Sequence, residues 1–157
     1  MVFGKVNPTG KYWEMCEVGD RVRETRTVTV KDLFSYLGVT DDQNPLYLEE
    51  NYAIQAGFEQ AVVPAGLFVG WLTSLASMHL PGPGSMIKEL RLSFPQALKL
   101  GEKVNLSLEL THKCEREKTV TLKASVTSLG KSIVEGEIDV FPPRPLRSLL
   151  DNAFENF

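Results

Sequence analysis

Histidine and cysteine are scarce in this chain, with two of each among 157 residues. Cys16 and Cys114 are too few for a disulfide framework, and neither has a Cys or His partner at metal-ligand spacing, so no metal site is expected. A basic stripe is also missing. Net charge is −3 with both signs spread along the chain, which argues against nucleic acid as a partner. No long hydrophobic run is unbroken. The stretch from Val62 to Leu80 is interrupted by Pro64, Gly66, Gly70, Thr73, Ser74 and Ser77 and lacks charged flanks, so it reads as a buried helix and not a membrane span. Gly4, Lys5, Asn7 and Pro8 stand where a secretory leader needs an apolar core. A cytoplasmic location with reduced thiols is the expectation. Internal repeats and low-complexity segments are absent as well.

What is present is enough for a core: 43% of the residues are hydrophobic, at a length suited to one domain. Met1 to Glu17 reads as an irregular arm, broken by Asn7-Pro8 and Gly10. Arg21 to Val30 alternates at period two and predicts a strand. Lys31 to Leu37 predicts a short helix with Leu33, Phe34 and Leu37 on one side and Gly38 as C-cap. Glu49 to Ala56 is helical in pattern, and Val62-Val63 reads as a short bridge. Gly66 to His79 is the longest helical pattern and is apolar almost all round, which implies burial on most faces. Pro81-Gly82-Pro83-Gly84 stops it. Met86–Phe94, Lys103–Lys113, Lys118–Ser128 and Ser132–Phe141 then alternate at period two, separated by short turn signals, and predict an antiparallel meander. Helices grouped before strands imply an α+β fold, with a curved antiparallel sheet around the single apolar helix. Residues 1–141 form the expected domain. Residues 142–157 are set apart by Pro142-Pro143-Arg144-Pro145, after which Leu146, Leu149, Leu150, Ala153, Phe154 and Phe157 predict an amphipathic helix.

The run Asp41-Asp42-Gln43-Asn44-Pro45-Leu46-Tyr47 carries the most chemistry. Asn, Asp and Pro make it a turn, yet it also sets two carboxylates beside a phenol.

In this setting Asp42-Gln43-Asn44-Pro45-Leu46-Tyr47 resembles the Asp-x-Asn-Pro-x-His motif of the MaoC-like hydratases, hot-dog folds that include the (R)-specific enoyl-CoA hydratases. The resemblance spans roughly Tyr12 to Phe141. Tyr12-Trp13-Glu14 with Glu17-Val18-Gly19-Asp20 is similar to the family's opening, Lys31-Asp32-Leu33-Phe34 to its first helix, and Tyr52-Ala53 with Gly57-Phe58 follow at the family's distance. Ala65-Gly66-Leu67 stands where the family has His-Gly-Met, and Phe94-Pro95 with Leu100-Gly101-Glu102 resembles its Phe-x-x-Pro and Gly-Asp pattern.

The resemblance implies a hot-dog fold and a site for an acyl-CoA or acyl-carrier-protein thioester, with no cofactor. In the family the motif Asp and His activate a water that adds to C3 of a trans-2-enoyl thioester, a proton goes to C2, and N–H groups at the start of the central helix bind the thioester oxygen. Carried over, Asp42 and Tyr47 are the candidate catalytic residues, and Asn44, Ala65, Gly66 and Ser85 the candidate substrate-binding residues. The sequence departs from the pattern at two points: the motif His is Tyr47, and the His before the helix-start Gly is Ala65. A phenol with a reference pKa of about 10 does not replace imidazole as a base at neutral pH, although it donates hydrogen bonds.

Plain structural roles stand beside these. Asp42 would bond turn N–H groups or cap the next helix, Asn44 and Pro45 would shape the loop, Tyr47 would pack, and Gly66 would allow close packing. His79 reads as a helix C-terminal cap and His112 as exposed. Three functions remain open: a hydratase or dehydratase with a degenerate Asp/Tyr site, a non-catalytic acyl-binding subunit of a heteromeric dehydratase, and an acyl thioesterase. An open sheet edge further implies a homodimer or a paired hot-dog subunit.

Overall fold

The computed structural model describes residues 9–146. Five strands form one antiparallel sheet: β1 (Arg21–Thr27), β2 (Met86–Ser93), β3 (Lys103–Cys114), β4 (Thr119–Ser128) and β5 (Lys131–Phe141), in the order β1-β3-β4-β5-β2. The expected four-strand meander is correct for β3, β4 and β5, but β2 does not precede β3 in the sheet. The outer side of β3 is taken by β1, from Arg21 opposite Glu109 to Thr27 opposite Lys103, and β2 crosses over to pair with β5.

Alternation fixes which face is buried. Val104, Leu106, Leu108 and Leu110 of β3, Val120, Leu122, Ala124 and Val126 of β4, and Val134, Ile138 and Val140 of β5 all turn inward and are fully buried. Register shifts at Leu110/His112, Val126/Thr127 and Ile87/Glu89 interrupt the ladders, the irregularity by which a sheet bends and gains twist. Gly136, at φ +152, sits opposite Leu92 of β2 where the two backbones come close.

The concave face holds the long helix α4 (Ala65–Met78), within one residue of its expected limits. Leu67, Phe68, Leu72, Leu75 and Ala76 are buried against the sheet. The burial is one-sided: Gly70, Ser74 and Met78 are exposed on the opposite face, because five strands curl round only one side of the helix.

Three shorter helices bridge β1 and α4. The first, α1 (Val30–Thr40), opens with a capping box: the Thr29 hydroxyl accepts from the Asp32 N–H and the Asp32 carboxylate accepts from the Thr29 N–H at 2.8 Å. It runs through Gly38, the expected stop, to a C-cap at Asp41 in the left-handed region at φ 54. The Thr40 hydroxyl, donating to the Tyr36 carbonyl at 2.8 Å, helps carry that last turn. Next comes α2 (Pro45–Leu48), a helical turn inside the run read as a loop, and then α3 (Glu50–Gln55).

The described part of the arm, from Thr9 onward, is bonded to the rest of the domain. Gly10 and Lys11 donate backbone hydrogen bonds to the Pro83 and Pro81 carbonyls, each at 2.8 Å, and Trp13 Nε1 donates to the Thr119 carbonyl at 3.1 Å. The Lys113 and Lys118 ammonium groups lie 4.1 and 3.9 Å from the Trp13 ring centroid. Lys11 Nζ donates to Asp20 at 2.8 Å. Burial pushes the Asp20 carboxyl up, but hydrogen bonds from the Lys11 ammonium and the Glu17 N–H outweigh it and hold the group below the usual carboxylate range. A carboxyl depressed in the folded state contributes stability above its unfolded pKa, and that stability is lost as pH falls through the folded value. Asp20→Asn is therefore expected to lower the melting temperature at pH 7 by roughly 2–4 °C, a gap that should close below about pH 4 in a pH series of thermal melts. After β5, residues 142–146 take no regular secondary structure, and the amphipathic helix expected over residues 146–157 lies outside the described residues apart from Leu146.

Candidate functional site

The loop between α1 and α2 is built by its own side chains. Asp42 Oδ1 accepts from the Asn44 N–H at 3.1 Å, and Asn44 Oδ1 accepts from the Leu46 N–H at 3.0 Å, capping α2 with Pro45 at its first position. Asp42 thus fills the structural role available to it with one carboxylate oxygen. The other, Oδ2, has no hydrogen-bond partner among the described residues. Asn44 is the helix cap, so its amide both shapes the loop and faces the Tyr47 phenol from one turn away.

Tyr47 is half-buried on α2. Burial pushes its phenol above the ordinary value, the Asp42 carboxylate and the Tyr36 phenol push the same way, and the Asn44 side chain opposes them. At neutral pH Tyr47 is therefore a protonated donor and not a base. It lines a groove of about 430 Å³ whose walls include Val30, Phe34, Leu48 and Leu100. Phe34 is 61% exposed there, an aromatic ring that the helix packing leaves available.

The start of α4 completes the arrangement. Its N-cap is Pro64, which brings no side-chain hydrogen bond, and among the described residues the Ala65 and Gly66 N–H groups have no hydrogen-bond partner. Unpaired donors at a helix start, on the positive end of the helix dipole, favour negative charge. Against Gly66 lies Tyr36 of α1. A Cβ on Gly66 would stand 2.8 Å from Tyr36 Cε2 and closer still to its hydroxyl, so a side chain there would displace the ring.

Asp42, Asn44, Tyr47, Ala65 and Gly66 are therefore brought into one neighbourhood, linked through Tyr36. Ser85 is not. Gly82 donates to the Ala76 carbonyl at 3.0 Å and Ser85 to the Gly82 carbonyl at 3.1 Å, which pins Ser85 beside the last turn of α4. A helix of this length separates its two ends by about 20 Å. The Ser85 hydroxyl is buried without a partner beside a second, mostly apolar hollow of about 440 Å³ lined by Gly84, Phe141 and Pro143. His79 is the exposed C-cap residue of α4, and His112 is exposed on β3. Among the described residues no group of three or more His, Cys, Asp or Glu is placed to hold a metal ion.

Tyr36 belongs to this neighbourhood and was not singled out from the sequence. Its signal was its spacing three residues after Leu33 and one before Leu37, which places it on the buried side of α1, whereas Phe34 faces out.

Known proteins resemble this chain over most of its length. The chain is 27% identical over 132 residues to the (R)-specific enoyl-CoA hydratase of Rhodospirillum rubrum, covering 84% of this chain and 92% of that protein. It is 28% identical over 128 residues to the (R)-specific enoyl-CoA hydratase of Aeromonas caviae, covering 81% and 96%. Among solved structures, the unliganded R-hydratase PhaJ1 of Pseudomonas aeruginosa superposes with a TM-score of 0.78 at 26% identity over 90% of this chain and 94% of that one. The fold is the hot-dog fold. Residues 17–132, which run from before β1 to the start of β5 and include both the Asp42 loop and the start of α4, match the MaoC like domain, and the chain belongs to that family.

Proposed function

We propose that this chain binds acyl thioesters of CoA or of an acyl carrier protein, with the acyl chain in the Phe34–Leu48 groove, and that it interconverts 2-enoyl and 3-hydroxyacyl thioesters. The observation that carries the reading is one neighbourhood that holds a carboxylate oxygen without a partner, a protonated phenol and two unpaired helix-start N–H groups, with the phenol lining a groove walled by Phe34 and Leu48 together with Glu50 and Gln60. In hydration, Asp42 Oδ2 takes a proton from water as the oxygen adds to C3. The thioester oxygen, gaining charge, is held by the Ala65 and Gly66 N–H groups, and the proton passes to C2. Tyr47 holds the water by a hydrogen bond without accepting its proton. The relatives named as enoyl-CoA hydratases support this reaction class. The direct test is formation of 3-hydroxybutyryl-CoA from crotonyl-CoA.

The groove makes a separate claim. Phe34→Asp places a charge in the acyl path at an exposed position and is expected to weaken octanoyl-CoA binding by about tenfold or more. Titration calorimetry checks this, and unchanged affinity would move the acyl chain elsewhere.

A second reading has its own observation. With Tyr47 in place of the family His and its phenol held protonated, the site lacks one proton acceptor. A non-catalytic subunit that lends its groove to an active partner fits that loss.

Either reading includes a pair of hot-dog subunits. Both sheet edges carry charge, Arg21, Arg23, Glu24 and Arg26 on β1 and Lys88, Glu89 and Arg91 on β2, but β2 also exposes the large apolar side chains Met86, Leu90 and the following Phe94. Charge guards an edge and apolar side chains invite pairing, so β2 is the joining edge in this proposal. Light scattering at micromolar concentration is expected to give a dimer mass, and Leu90→Lys to shift it toward the monomer. Among the described residues no helix is long and apolar enough to cross a membrane. A cytoplasmic location remains part of the proposal.

A further inference from the structure

Tyr36 is packed where a spectator residue has little reason to be. Its ring lies on the Cα of Gly66, on the side that a β-carbon would fill. In a helix both the Cα–Cβ direction and the unpaired N–H groups of the first turn point toward the N-terminus. The Tyr36 hydroxyl therefore lies against the first turn of α4, in the neighbourhood of the Ala65 and Gly66 N–H groups. That hydroxyl makes no hydrogen bond to another described residue, although Tyr36 is half-buried and packed against the core. A half-buried phenol packed against the core, with a free donor and beside two free backbone donors, is a set that a single acceptor can engage.

We infer that the Tyr36 hydroxyl is a third donor to the thioester oxygen, acting with the Ala65 and Gly66 N–H groups at the start of α4. The inference rests on the acyl-thioester reading of this site and adds a side chain to it. Two features give this consequence physical weight. First, a side-chain donor strengthens as charge grows on the thioester oxygen during addition at C3. Second, with the motif His absent, stabilisation of that oxygen carries a larger share of whatever rate the site supports.

The test separates binding of the oxygen from everything else. Butyryl-CoA and S-butyl-CoA differ only in the thioester carbonyl, which the thioether lacks. Both are titrated into the full-length wild type and into Tyr36→Phe, with thermal melts confirming that the variant keeps its fold. Phenylalanine keeps the ring against Gly66 and removes only the hydroxyl. Wild type is expected to bind the thioester more tightly than the thioether. In Tyr36→Phe that preference should shrink by roughly fivefold, the size of one hydrogen bond, while thioether affinity stays the same. An unchanged preference in Tyr36→Phe overturns the inference and leaves the thioester reading standing. Equal loss for both ligands assigns Tyr36 a packing role and overturns it too. If wild type binds neither ligand nor the butyryl carrier-protein thioester, the functional reading itself fails and the inference with it.

Discussion

Asp42→Asn is expected to lower enoyl-thioester hydration by roughly 10²–10⁴-fold, to the background rate of the assay. The substitution is a clean one because of what the carboxylate already does. Oδ1 accepts the Asn44 N–H at 3.1 Å, and the amide oxygen of asparagine accepts the same bond, so the loop and the α2 cap should survive. What is lost is the ability of the second oxygen to take and return a proton. Tyr47→Phe, which removes only a donor, should cost less. Tyr47→His restores the family motif on the same turn of α2 and is expected to raise the rate. Initial rates with crotonyl-CoA, read beside melting temperatures, distinguish chemistry from folding. Equal rates in wild type and Asp42→Asn would remove Asp42 from the reaction.

Gly136→Ala is expected to be the most damaging single substitution in the sheet. At φ +152 the backbone adopts a conformation that side-chain-bearing residues avoid, and a Cβ there would stand 2.9 Å from Leu92 Cα and closer still to the Arg91 carbonyl oxygen. Both obstacles are backbone of β2, so the conflict cannot be relieved by a rotamer change. Relief requires parting β2 from β5, where Arg91–Glu137 and Leu92–Gly136 are paired. A cost of about 2–4 kcal/mol follows, or roughly 5–15 °C in melting temperature. Gly130, at φ +77 with open space around its Cα, serves as the comparison: Gly130→Ala meets the conformational cost alone and should shift the melt less. Because β2 is also the proposed joining edge, Gly136→Ala should weaken the dimer while Gly130→Ala leaves it intact. A melting temperature within 2 °C of wild type, taken as roughly half a kcal/mol, would contradict this account of the β2–β5 contact.

The long helix and the three meander strands were legible because their patterns repeat over ten or more residues, enough for period to separate helix from strand. The neighbour of β2 was not legible. Alternation says which face of a strand is buried, not which strand lies beside it, and nothing in Met86–Ser93 marks β5 as its partner. The turn α2 was hidden because Asn-Pro signals a loop and a capped helix start with the same residues. The phase of α1 misled in a different way. Phe34 and Tyr36 are two residues apart and face opposite ways, and the larger apolar residue was assigned inward, whereas the structure leaves Phe34 exposed and packs Tyr36 on Gly66. The Asp42 loop, Tyr47 and Gly66 were singled out through the motif they resemble. Ser85 was carried over the same way, but local hydrogen bonds hold it at the far end of α4. Sequence order does not report which end of a helix a returning loop stays near.

The central claim is that the groove beside Asp42 and the start of α4 turns over an enoyl thioester. Purified chain mixed with crotonyl-CoA, with product followed by mass spectrometry, tests it most directly. The expected result is 3-hydroxybutyryl-CoA, formed faster than in buffer and faster than with Asp42→Asn. Saturable binding of crotonyl-CoA with no product would contradict the hydratase and transfer the case to the non-catalytic subunit. No binding and no product would contradict the account as a whole.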